Sequence, residues 1–321
     1  ENSSHFNELK EVFKSTNITT SSIAYDPFNK LIDIPKSPKE RYKIMTAEMP
    51  KGGKLSLDMM YKTAGIQINY DYTSEEDFEK KFKIGNYLVP LTIALFANSP
   101  FYENKPSGFL SYRGKVWQET NRGGIMPIAF EKVSFEKYMD HAINHPILFL
   151  NKNGKYHPPN GQTFNDFLQG NLSFLKGEIP TLEDFKNHLG TIFTEIRLKQ
   201  VIEFRSLDTC DFGCICNGPS FFTGLIYGSL EETYEIIKNW KKEKVMEAYL
   251  NAPKQGLNTL LENKKLIYWA KIFIDLSKKG LEKRNELNKS GKNETIYLKH
   301  LEEIISNKKT RAEILIEKYN N

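Results

Sequence analysis

The chain predicts an α+β fold: a mainly antiparallel sheet with one polar face, flanked by helices and followed by a C-terminal helical layer. Three observations carry this. In residues 65–72, Ile66, Ile68 and Tyr70 alternate with Gln67, Asn69 and Asp71, and period two puts the three polar groups on one strand face. In residues 201–205, Ile202 and Phe204 alternate with Glu203 and Arg205 in the same way. From Leu230 onward the apolar spacing is helical. This divides the chain into an α+β core over residues 1–228 and a helical region over residues 229–321 packed on it.

The elements follow in order. Residues 1–23 read as a helix ending in a Ser/Thr run. Residues 25–54 hold Pro27, Pro35, Pro38, Pro50 and Gly52-Gly53, which is loop with one short helix around residues 41–49. After the first strand, residues 74–97 read as one long helix with Ser74-Glu75-Glu76-Asp77 as its capped, acidic start. Residues 98–128 form a long Gly- and Pro-punctuated stretch carrying Arg113 and Trp117, and a long irregular segment inside a domain is usually functional. Residues 134–144 are helical, and residues 147–156 make a hairpin around Asn153-Gly154. Residues 163–170 and 181–190 are short helices, the second opened by a Thr181/Asp184 capping box. The last part reads as helices over residues 230–250, 257–279, 297–306 and 310–319, with a break at Pro253 and Gly256.

Composition narrows the function. The 321 residues are 39% hydrophobic and 26% charged, with a formal net charge of +5. Residues 1–228 carry 26 basic and 26 acidic side chains, and residues 229–321 carry 19 and 14. The excess therefore lies on mixed-sign helix surfaces, not on the basic, aromatic-laced face that nucleic acid requires. The longest apolar run, residues 88–97, falls short of the roughly 20 residues that span a bilayer. Neither a nucleic acid nor a membrane is an expected partner. Cys210, Cys214 and Cys216 make no disulfide framework and no zinc spacing, so they are expected to remain thiols in a reducing, cytoplasmic setting.

Glu203 and Arg205, two residues apart on one strand face, admit two readings. The carboxylate holds a divalent cation while the guanidinium holds a phosphate, or the two belong to a cross-strand ion pair. Arg113 suits bidentate recognition of a carboxylate, or is an exposed loop arginine. Gly123-Gly124 lacks the strand, helix and lysine of a nucleotide loop. The six histidines are scattered, and His188 is either a site residue or a packed helix residue.

Longer strings carry a resemblance. Leu57-Asp58-Met59-Met60 runs on to Gln67-x-Asn69-x-Asp71. Ala94-Leu95-Phe96-Ala97-Asn98-Ser99-Pro100-Phe101 leads to Lys105-Pro106-x-Gly108-Phe109-Leu110-Ser111-x-Arg113. Asn187-His188-Leu189-x-Thr191-Ile192-Phe193-x-Glu195-x-Arg197-Leu198-Lys199 precedes Glu203-Phe204-Arg205-x-x-Asp208, and Gly280–Arg284 and Ala312–Asn320 close the series. Together they resemble glutamate–cysteine ligase of the plant and alphaproteobacterial type, over nearly the whole chain and in the family's order.

The resemblance implies a glutamine synthetase-like active-site face. It also implies ATP-dependent ligation of L-glutamate to L-cysteine through a γ-glutamyl phosphate, the first step of glutathione synthesis, with Mg²⁺ on the phosphates. By the match, Glu203 and Gln67 are metal ligands, and Arg197 and Arg205 contact ATP. Arg113 and Arg205 are catalytic. Arg41, Gln67, Asn69, Arg113 and Trp117 line the substrate pocket. Family members begin with a further region whose first strand supplies an acidic E-x-E pair. The chain starts at Glu1 in what resembles a mid-family segment, so it is expected to be an N-terminally truncated piece, inactive by itself. Plant members carry switch cysteines at the equivalents of Pro159 and Phe174, and these are absent here. The alternatives are a sister carboxylate–amine ligase of the ergothioneine type and a non-catalytic truncated chain.

Overall fold

The computed structural model describes residues 2–321. Helix α1 (Asn2–Ser15) leads into an extended polar stretch. Helices α2 (Glu40–Glu48) and α3 (Ser56–Lys62) lie either side of a 3-10 turn at Met49–Gly52. Strand β1 (Gly65–Tyr70) follows. Helix α4 (Glu75–Tyr87) starts as expected on Ser74, whose Oγ accepts from the Asp77 amide at 3.1 Å. It does not run on to residue 97: it ends at Tyr87, and α5 (Val89–Leu95) begins beyond Leu88. The cause is Pro90, which has no N–H to continue the ladder.

Residues 98–128 are more regular than expected. Strands β2 (Phe101–Tyr102) and β3 (Lys105–Pro106) form a hairpin whose turn residues Glu103 and Asn104 have φ of 46° and 64°. Helix α6 (Tyr112–Gln118) is capped by Ser111, whose Oγ accepts from the Gly114 amide at 3.0 Å. Arg113 therefore sits in the first turn of a helix, not in a loop. Helix α7 (Phe135–Ile143) precedes the hairpin of β4 (Leu150–Lys152) and β5 (Lys155–His157), which turns at Asn153-Gly154 as predicted. Helices α8 (Phe164–Leu168) and α9 (Leu182–Leu189) both open on capping boxes, the second from Thr181 and Asp184. Strands β6 (Ile196–Leu198) and β7 (Ile202–Asp208) then complete the main sheet.

The cysteines depart from expectation. Cys210 and Cys214 are joined as a disulfide with Cα atoms 6.1 Å apart, and Cys216 stays free. The turn between them supplies the reason: the Cys214 amide donates to the Asp211 carbonyl at 3.1 Å, folding the chain back on itself.

Helix α10 (Asn217–Thr223) continues as a π-turn at Gly224–Gly228. The helix expected over residues 230–250 is two, α11 (Leu230–Ile237) and α12 (Lys242–Gln255). Pro253 lies inside α12 and does not break it. The carbonyl of Tyr249, deprived of a proline N–H, accepts instead from the Gln118 side chain. A hairpin of β8 (Leu260–Leu261) and β9 (Lys264–Lys265) leads to α13 (Leu266–Arg284), α14 (Lys299–Asn307) and α15 (Arg311–Asn320). Among the described residues no helix is long and apolar enough to cross a membrane.

The main sheet is antiparallel with strand order β1-β7-β6. Ile66, Ile68, Ile196, Ile202 and Phe204 all join one hydrophobic core, which extends from Ile66 to Ile304 and so includes residues on both sides of position 228. Gly85 lets α4 approach closely: a Cβ there would lie 2.9 Å from Ile196 Cδ1 and from the Phe204 ring. Phe204 also meets Phe222 edge-on at 4.5 Å between centroids. Full burial of such a ring contributes about 1.5–3 kcal/mol. This packing fixes the sheet's apolar face and leaves the other face for polar groups.

Candidate active site

The register of the three strands assembles a polar cluster. Asn69 on β1 and Arg197 on β6 are both paired with Glu203 on the central strand. Glu203 Oε2 accepts from Arg197 Nε at 2.7 Å and lies 3.0 Å from Arg205 Nη1, with Lys199 Nζ at 3.7 Å. Arg205 Nη1 also donates to Gln67 Oε1 at 3.1 Å. Glu203, Arg197 and Arg205 are buried, whereas Gln67 and Asn69 are exposed. Burial pushes the Glu203 carboxyl up, but the Arg205 and Arg197 guanidiniums outweigh it and hold it below the usual carboxylate range. Burial, together with the neighbouring Arg197, pushes Arg205 down to about 10, so it is charged at neutral pH.

A second layer lies behind the first. Arg113 is 2% exposed. Its Nη2 donates to the Arg205 carbonyl at 2.6 Å, and its Nη1 lies 3.6 Å from Asp208 Oδ1. Asp208 also accepts from the Asn98 amide, Ser99 Oγ and Ser111 Oγ. Gly65 makes room for this: a Cβ there would lie 2.5 Å from Arg113 Nη2. The Trp117 ring lies 5.0 Å from Arg113 Cζ and 5.2 Å from Arg205 Cζ, so both cations meet one indole. Glu195, whose carbonyl accepts from the Arg205 amide, receives the Tyr249 hydroxyl on Oε1 at 3.2 Å. Burial pushes the Glu195 carboxyl up against the pull of Arg113 and Arg205.

Four polar atoms in these two layers are buried with no partner among the described residues: Arg205 Nε, Arg113 Nε, Trp117 Nε1 and Glu195 Oε2. Leaving each unpaired costs about 1–3 kcal/mol.

Of the residues the sequence singled out, Gln67, Asn69, Arg113, Trp117, Arg197, Glu203 and Arg205 share this neighbourhood. Arg41 does not: it lies on α2 with its guanidinium 5.4 Å from the Tyr42 ring. Among the described residues no hydrogen bond or ion pair joins it to the Glu203 cluster. Glu195, Asp208 and Tyr249 received no role from the sequence. For Glu195 a signal existed, since it stands two residues before Arg197, the same spacing that marked Glu203 and Arg205. His188 proves to be a packing residue, stacked on Phe164 at 4.9 Å with Nε2 2.8 Å from the Ala142 carbonyl oxygen.

The donor set does not make a magnesium cage. Glu203 Oε2 is occupied by guanidiniums and Gln67 Oε1 by Arg205. No three His, Cys, Asp or Glu side chains converge among the described residues. Magnesium needs a near-octahedral oxygen shell, and these residues do not furnish one.

Residues 1–320 match the profile of glutamate-cysteine ligase family 2. The chain is 39% identical over 321 residues to the chloroplastic glutamate–cysteine ligase of Solanum lycopersicum, covering 98% of this chain and 60% of that protein. It is equally similar to chloroplastic glutamate–cysteine ligase B of Oryza sativa subsp. japonica, with 98% and 64% covered. The Arabidopsis thaliana chloroplastic enzyme is 39% identical over 322 residues, with 99% and 60% covered. The chain thus spans about three fifths of the length of these curated relatives. The expectation of a cytoplasmic location is overturned by them, because their names place them in the chloroplast. A match from end to end of the chain, through every string that forms the polar sheet face, makes this protein a member of glutamate-cysteine ligase family 2.

Proposed function

We propose that the polar sheet face belongs to an ATP-dependent ligase that joins the γ-carboxylate of L-glutamate to the amine of L-cysteine. The observation that carries this reading is the buried Arg205, paired with Glu203 and Gln67 on the polar sheet face, in a chain of this family. In the reaction a γ-carboxylate oxygen attacks the terminal phosphorus of ATP, ADP leaves, and the acyl phosphate forms. The cysteine amine then attacks the acyl carbon and phosphate departs, with the amine proton passing to solvent. Charge develops on phosphoryl oxygens in both steps, and fixed cations aimed at it are the largest catalytic lever.

Arg205 is the phosphate contact, through the guanidinium that it shares with Gln67 and Glu203 on the sheet face. Arg197 serves differently. Its Nη1 donates to the Gly190 and Ile192 carbonyls, and Nε and Nη2 go to Glu203, so it holds Glu203 in place. Arg113 and Trp117 back the sheet face, with Arg113 fixing the β7 backbone under Arg205. Gln67 and Asn69 line the exposed side against substrate. Residues 1–228 hold all of these groups, and residues 229–321 buttress them, with Tyr249 reaching Glu195.

A ligation assay on the natural full-length protein with L-glutamate, L-cysteine and ATP, read as γ-glutamylcysteine and ADP, tests this. Arg205→Gln is expected to lower turnover ~100-fold or more with the fold retained. Turnover that persists at the wild-type rate refutes the assignment. Faster product formation with another amine in place of cysteine supports the sister-ligase reading.

A further inference from the structure

We propose that Arg122 anchors a second binding site, one for a compact oxyanion, the carboxylate or phosphate of a small molecule. It sits in a cavity that shares no lining residue with the polar sheet face.

The cavity holds about 530 Å³ and is lined by Glu48, Lys51, Asn121, Arg122, Asn160 and Gly161, among others. This is within the usual range for small-ligand sites, ~300–1,000 Å³. Arg122 is its one deeply buried charge, at 6% exposure. Its Nε donates to the Thr191 carbonyl at 3.0 Å, and its Nη2 donates to the Pro146 carbonyl at 2.8 Å and to Thr191 Oγ1 at 3.3 Å. Those acceptors are all neutral. Nη1 makes no hydrogen bond, and no carboxylate pairs with the guanidinium among the described residues. The other titratable groups beside it, His145 and His188, are held neutral by burial. Glu48 does not compensate, because its carboxylate is spent on Lys51 Nζ at 2.7 Å.

A buried cation without a counter-charge is costly, and structures pair or hydrogen-bond nearly all such groups. Arg122 contrasts with Arg113 and Arg197, which have Asp208 and Glu203. Burial pushes Arg122 down only to about 10, so the charge remains at neutral pH. What is missing is an anion, and the space for it adjoins the guanidinium. The planar fork favours a carboxylate or phosphate oxygen pair over a spherical ion. Asn121 and Asn160 add neutral amide donors along the wall.

Calorimetric titration of the 1–321 chain with inorganic phosphate, and separately with succinate, tests the site. Saturable one-to-one binding of at least one probe is expected. Preference for phosphate assigns a phosphate-bearing ligand, and preference for succinate assigns a carboxylate. Arg122→Gln should weaken binding at least tenfold. That variant also loses bonds to Pro146 and Thr191, so a second variant guards against misfolding. Asn160→Asp, at an exposed cavity-wall position, should weaken binding several-fold by repulsion and leave the unfolding midpoint unchanged. Arg205→Gln should keep the binding that Arg122→Gln loses. Binding of neither probe overturns the proposal. So does wild-type affinity in Asn160→Asp, or binding lost in Arg205→Gln but kept in Arg122→Gln, which would put the anion on the sheet face.

Discussion

The Glu203 cluster and the histidine stack between α7 and α9 both bury titratable side chains, yet they do opposite things with them. In the cluster, three cationic side chains surround one carboxylate, and both signs stay charged. In the stack, the His141 and His145 rings lie 5.8 Å apart and His145 and His188 6.4 Å apart, with no acid among them. Burial pushes His145 down to about 3 and His188 to about 4, so these rings are neutral at pH 7. Desolvation acts on both places. Where complementary charges answer it, Glu203 remains ionised, and where none does, the imidazoles discharge and pack as aromatics. Burial alone is thus no mark of a site.

The largest effect that separates the two regions is expected from Glu203→Ala. It leaves Arg197 and Arg205 buried side by side without compensation, and breaking a buried pair from one side costs about 3–5 kcal/mol. Urea unfolding measures it, and Glu203→Gln, which keeps the hydrogen-bond acceptor, should cost less. A loss below about 1 kcal/mol for Glu203→Ala would mean that water screens the cluster as it does a surface pair. Next comes Arg205→Gln, whose effect should fall on turnover more than on stability.

The histidine stack gives a smaller effect, of defined sign. The unfolded chain protonates these rings near 6.5, whereas the fold holds His145 near 3 and His188 near 4. Below about pH 6.5 the unfolded state binds more protons. The stability from neutral burial is therefore complete above pH 6.5 and is lost as pH falls toward 4. His145→Gln should flatten the decline of the unfolding midpoint in the upper part of that window, above the range in which an unfolded glutamate takes up a proton, and Glu203→Gln, which removes a carboxyl held below that range, should leave the upper part in place and flatten only the lower. An unchanged slope in His145→Gln would mean that the ring is solvated.

Much of the cluster was legible because strand parity is a local signal. Residues 65–70 and 202–208 each announce two faces, and the fold needs only antiparallel pairing to bring Gln67, Glu203 and Arg205 together. What escaped was set by tertiary packing or by a weaker local cue. Tyr249 lies on α12, far along the chain from its partner Glu195, and no local pattern joins them. The histidines that look scattered in sequence meet because His188 of α9 bonds the Ala142 carbonyl of α7, near His145. Arg113 resembles a loop residue until the Ser111 cap turns its segment into a helix and buries it. Pro90 splits a helix, while Pro253 is absorbed because Gln118 answers the carbonyl that it orphans.

The smallest effect expected is also the one that asks whether the two regions are independent. Helix α9 touches both: His188 near its end belongs to the stack, and the Gly190 carbonyl just beyond accepts from Arg197 Nη1 at 2.8 Å. Its start is fixed by Thr181, whose Oγ1 accepts from the Asp184 amide at 3.2 Å while the Asp184 carboxylate accepts from the Thr181 amide at 2.7 Å. Thr181→Ala removes the cap oxygen at an exposed position and should cost about 1 kcal/mol. Fraying the first turn does not displace Gly190, which β6 holds through Arg197 from the other end. The variant should therefore lower the unfolding midpoint slightly, with the pH slope of the stack and the turnover of the full-length protein both unchanged. If turnover falls more than about threefold, α9 moves as a rigid rod and carries the disturbance from its N-terminus to Arg197 and Glu203. The two regions would then be mechanically one, despite their opposite electrostatics.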